Sequence, residues 1–86
     1  MLFTARKDEN SQGFTMSFKN KYTISVQFGT MNYCSINEKG MATSAEISIW
    51  DNYGTFYSFD DDTVKGYCST DEVAEWIEKV KSFDNN

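Results

Sequence analysis

Histidine is absent from the 86 residues, and cysteine occurs only twice, at positions 34 and 68. Without imidazole the chain loses the commonest general base and the commonest transition-metal ligand, and two thiols cannot complete a tetrahedral zinc site. Two cysteines are also too few for the disulfide framework of a small secreted scaffold; Cys34 and Cys68 could pair if the fold brings them together, and otherwise each reads as a free thiol, a small buried hydrophobe. No apolar run approaches the roughly 18 residues of a membrane span, and no secretory hydrophobic region is visible. Basic residues are outnumbered, eight against thirteen acidic ones, which leaves a formal charge of −5. A chain with that balance lacks the cations needed to neutralise phosphates, so direct binding to nucleic acid is not expected. Glycines stand singly, as at Gly29, Gly40, Gly54 and Gly66, and make no phosphate-cradling loop. Asp60-Asp61-Asp62 lacks the glycine and glutamate spacing of a calcium loop. The chain is therefore expected to be no enzyme and to need neither metal nor cofactor.

What is present is enough apolar bulk, 40% hydrophobic and 16% aromatic residues, for one compact domain over residues 1–86. Residues 1–12 and 84–86 are expected at mobile ends, with a short strand at Leu2-Phe3 before a polar run. Phe14, Met16 and Phe18 alternate with Thr15 and Ser17, and Tyr22, Ile24, Val26 and Phe28 alternate with Thr23, Ser25 and Gln27, which predicts two strands with their large side chains on one face. Between them Asn20 suits the left-handed position of a tight turn, whereas Lys21 is a poor substitute for glycine. Residues 29–44 have no period and read as a long loop, functional or mobile. Ala45, Ile47 and Ile49 alternate with Glu46, Ser48 and Trp50 in a third strand, Asp51-Asn52-Tyr53-Gly54 is a turn, and 55–59 is expected as a fourth strand closing a second hairpin. Residues 63–68 are ambiguous and could be a brief extended lead-in. Ser69-Thr70-Asp71-Glu72 is a capping box, and Val73, Trp76, Ile77, Val80 and Phe83 repeat on one face of a helix over about 70–83. The expected fold is α+β: a four-stranded antiparallel sheet of two hairpins, covered on one face by a C-terminal helix, in the order ββββα.

Charge is unevenly divided. Residues 1–43 carry a net +2 and residues 44–86 a net −7. The acidic candidates for a partner surface are Asp60, Asp61, Asp62, Asp71, Glu75 and Glu78, which suit a protein with a basic groove, including one that itself binds nucleic acid. The aromatic candidates are Trp50, placed opposite the isoleucines, with Tyr33 and Tyr53 in loops, since Trp and Tyr carry interface energy when a pocket receives them. An uncovered sheet face or edge also invites a homodimer.

The strings Gly13-Phe14-x-Met16-x-Phe18-x-Asn20-x-Tyr22-Thr23-x-Ser25-Val26-Gln27-Phe28-Gly29, Asn32-Tyr33-Cys34, Ala45-Glu46-Ile47-x-Ile49-Trp50-Asp51 and Gly66-Tyr67-x-Ser69-x-Asp71-Glu72-Val73 resemble those of small bacteriophage-encoded proteins of unassigned biochemistry. Where such relatives would place glycine after Asn20, this chain has Lys21. The resemblance covers about residues 13–83 and implies viral origin, expression in the bacterial cytoplasm and an accessory role. The expected function is stoichiometric binding of a host protein, such as a CRISPR or restriction component, to inhibit or modulate it. Two alternatives are a protein that sequesters a nucleotide signal in a pocket formed between the long loop and a dimer mate, and a minor virion component.

Overall fold

A computed structural model describes residues 2–7, 11–29, 32 and 34–84. Among these residues five strands, β1 (Leu2–Lys7), β2 (Gln12–Ser17), β3 (Thr23–Phe28), β4 (Ala45–Trp50) and β5 (Lys65–Cys68), are followed by one helix, α1 (Thr70–Lys81). The strands form one antiparallel sheet in the order β1-β2-β3-β4-β5. The class is α+β with a C-terminal helix on the sheet, as the periodicities imply, but the sheet has one strand more than they predict.

Alternation places Ile24 and Val26 of β3 and Ala45, Ile47 and Ile49 of β4 on the inner face, where they are buried with Cys68 and Val80. Phe14, Met16, Val73, Trp76 and Ile77 pack around that centre. Side chains of this size contribute about 1.5–3 kcal/mol each on full burial. The helix begins where the sequence places it. Ser69 Oγ accepts from the Glu72 amide at 3.1 Å, and Glu72 Oε1 accepts from the Ser69 amide at 3.1 Å. Two orphan amides at the first turn are thereby satisfied.

Three local readings change. Residues 55–59 are not a strand, because β5 takes the neighbouring edge of β4 through the Ala45–Cys68 and Ile47–Lys65 pairs. Only an isolated Trp50–Phe56 bridge remains of the expected second hairpin. The alternating aromatics there serve different surfaces: Phe56 lies 5.5 Å from Trp50, while Tyr57 and Phe59 lie 5.7 and 5.0 Å from Trp76. The short strand expected at Leu2-Phe3 runs on into the polar residues, so that 2–7 pair with β2 in unbroken register from Leu2–Ser17 to Lys7–Gln12.

At the β2–β3 turn, Lys21 and not Asn20 takes the left-handed conformation, with φ 71°. Lys21 N donates to Phe18 O and Phe18 N to Tyr22 O, each at 2.9 Å, the pattern of a three-residue loop closed by a bulge. Asn20 acts through its side chain instead. Its Nδ2 donates to Val80 O at 2.7 Å and Phe83 O at 3.0 Å, so the hairpin tip caps the end of α1. Late helical carbonyls have no partner within the helix, which makes this a useful clamp.

Candidate binding surfaces

The helix is too narrow a cover for five strands. α1 packs on β3, β4 and β5, and the β1–β2 side of the inner face extends beyond it. Phe3, opposite Met16 in the ladder, is 77% exposed, and Leu2 is 68% exposed. Two apolar side chains on an edge strand present both hydrophobic area and unpaired backbone groups. The other edge of the sheet is built differently: β5 has four residues, an irregular register with β4, and Tyr67 at φ 56°.

A cavity of about 810 Å³ opens on the same inner face. Phe14, Val26 and Phe28 line it from the sheet, Cys68 and Val73 from the junction of β5 and α1, and Ile36 and Met41 from the long loop. That loop is a braced wall. Asn37 Oδ1 accepts from the amides of Lys39 and Met41 at 2.9 Å each, Ile36 bridges Ala42, and Ser44 Oγ accepts from Ser35 N at 2.7 Å. Cys68, 1% exposed, is a thiol pushed above its ordinary pKa by burial and then by the Glu72 carboxylate, against a smaller pull from Lys65. It is consequently a neutral part of the wall and a poor nucleophile.

The residues proposed from sequence fall on two sides of the sheet. Trp50 shares the outer face with Thr23 and Ser17, is half-buried and leans on Phe56. Tyr53, at the tip of the 51–54 turn, is 89% exposed. Tyr33 lies outside the described residues. On the helix side, Asp71, Glu75 and Glu78 are exposed at spacings of four and three along α1 and form one solvent-facing stripe. The stripe is flanked by a cation, since Lys79 Nζ sits 4.5 Å from the Trp76 ring centroid.

Asp60 and Asp61 both take left-handed conformations, at φ 47° and 75°, in a tight turn closed by reciprocal bonds between Phe59 and Asp62. Asp62 Oδ1 also accepts from Val64 N at 3.1 Å. The acidic triplet thus has a local turn-forming role, because aspartate tolerates positive φ and caps nearby amides. The sheet separates Trp50 from the helical acidic stripe, so these candidates form two surfaces and not one.

Sequence reasoning passed over the wing residues Leu2 and Phe3 as functional candidates, although their adjacency at a strand start was visible. It also passed over Ile36 and Met41, two apolar residues in an otherwise polar loop. Among the described residues no group of three or more His, Cys, Asp or Glu is placed to hold a metal ion, and no helix is long and apolar enough to cross a membrane. Comparisons with protein-family models, curated proteins and solved structures return no match.

Proposed function

We propose that the chain is a bacteriophage accessory protein that acts in the bacterial cytoplasm by binding a host protein stoichiometrically and inhibiting or modulating it. The class of target we favour is an antiviral defence component of CRISPR or restriction type. The observation that carries the reading is the wing formed by β1. Leu2 and Phe3 stand exposed on opposite faces of a regular strand at the end of the sheet, an arrangement suited to adding a partner's strand. The acidic stripe of α1 supplies a second, salt-sensitive contact that favours basic partners and speeds encounter. Origin and location come from the resemblance noted in the sequence, and the target class is inferred from the accessory role it implies together with the acidic, non-catalytic composition.

The test is expression in a host armed with such a defence system, scored by plating of a phage that the system restricts. The wild-type chain restores plating, and Phe3→Lys loses that effect while keeping its thermal midpoint. A wild-type chain that protects against no such system, and that retains no host protein on affinity capture at low or high salt, overturns the reading.

A further inference from the structure

We infer that the cavity beneath the 35–44 loop is a binding site for an uncharged, mainly apolar small molecule. Its volume of about 810 Å³ is that of a ligand site and not of a packing defect. Its described lining contains no lysine, arginine, aspartate or glutamate. Phe14, Val26, Phe28, Ile36, Met41 and Val73 supply apolar walls, and serine, threonine and glutamine side chains supply a few hydrogen-bonding groups.

An anion entering here would leave its water without meeting a cation among the described lining residues, inside a protein whose own charge is −5. Buried charge without a partner is strongly disfavoured, so the lining selects against nucleotides and other phosphates. A neutral molecule incurs no such cost and gains the burial of its apolar surface.

The wall also has a fixed internal shape. The Asn37 carboxamide, the Ile36–Ala42 bridge and the Ser35–Ser44 bond brace the loop internally, and just before it Cys34 Sγ accepts from the amide of Gly29, part of the cavity lining, at 3.3 Å. The site is distinct from the β1 wing and stands whether or not a host protein is bound there.

Two fluorescent probes that differ by one sulfonate test the inference: neutral N-phenyl-1-naphthylamine and anionic 1-anilinonaphthalene-8-sulfonate. The neutral probe binds saturably at one per chain, and the sulfonate at least about tenfold more weakly. Ala42→Trp, which places an indole in the cavity from its exposed lip, weakens the neutral probe by a similar factor. Phe3→Ser leaves its binding unchanged.

Amide shift mapping on the wild-type chain provides a readout that needs no variant, with the largest changes at Val26, Phe28, Ala45 and Val73. Failure of the neutral probe to bind, equal or tighter binding of the sulfonate, shifts confined to β1, or loss of binding in Phe3→Ser each overturns the site. None of these outcomes touches the plating test, so the two proposals fail separately.

Discussion

The two halves of the sheet use the same local pattern and reach opposite ends. In β3 and β4 every second residue disappears under α1: Ile24, Ile47 and Ile49 have no exposed surface. In β1 the equivalent inner-face residue, Phe3, is left in solvent. The ladder between β1 and β2 is as regular as that between β2 and β3. Strand formation therefore follows the backbone, while burial on the inner face follows the reach of a single twelve-residue helix; Ser25 and Gln27 of β3 are buried on the opposite face. A helix is about 10 Å wide with its side chains, and strands lie about 4.8 Å apart, so one helix covers two or three strands of five. The covered half supplies stability and the uncovered half supplies surface.

The sharpest way to break this contrast is a matched pair of truncations. Ile47→Ala opens a void at the centre of the covered half and is expected to cost about 3 kcal/mol, whereas Phe3→Ala changes stability by less than about 0.5 kcal/mol. Urea denaturation of both variants checks it, and equal losses would show that the wing belongs to the core.

Next in size is Gly13→Ala, at the join of the two halves. A Cβ at this position would lie 2.1 Å from Val26 O and 2.9 Å from the Gln27 Cα and Oε1. The obstacle is largely backbone, so β2 must shift away from β3, at an expected cost of about 2 kcal/mol. Hydrogen exchange should then show β1 and β2 losing protection before β4, which would separate the halves directly.

Asn20→Ala tests how the hairpin tip is tied to the covering helix. Losing the caps on Val80 O and Phe83 O is expected to cost about 1 kcal/mol and to raise amide exchange in the last turn of α1.

The smallest effect lies at the other end of the helix. Hydrogen bonds to the Ser69 backbone and side chain hold the Glu72 carboxyl below its ordinary pKa. A lowered folded-state value means that the contribution is complete above the unfolded glutamate pKa and is lost as pH falls through the folded value. Thermal melts between neutral and acid pH should show Glu72→Gln with a shallower acid limb than the wild type. An identical limb would remove the capping carboxylate from the account.

Much of the architecture was readable because it rests on short-range rules. Period-two alternation marks β2, β3 and β4, and the Ser69–Glu72 box marks the helix start to the residue. The misreading of 55–59 has a definite cause: Phe56 and Tyr57 alternate like a strand's side chains, yet one joins Trp50 on the outer face and the other joins Trp76 under the helix. Nothing local announces that β5 occupies the edge those residues would need. Its own residues, Gly66 and the left-handed Tyr67, weaken any strand signal.

Asn20 was recognised as a turn residue, but its bonds to carbonyls some sixty positions away depend on the assembled fold. The cavity was illegible for the same reason, since Ile36 and Met41 meet Phe28 and Val73 only after Asn37 has folded the loop. Candidate residues chosen by type, such as the aspartates of 60–62 and Trp50, proved to have local structural duties that composition does not reveal.

The unequal ends of the sheet have a consequence for assembly. Extended polymers through backbone ladders require two receptive borders on every subunit, one to give and one to accept. Here one border is straight and six residues long, and the other is short, kinked and irregular. Two copies joining through their first strands would each use up the straight border and leave only the kinked one outward. Growth would then stop at a pair, which permits a sticky strand without the penalty of fibre formation.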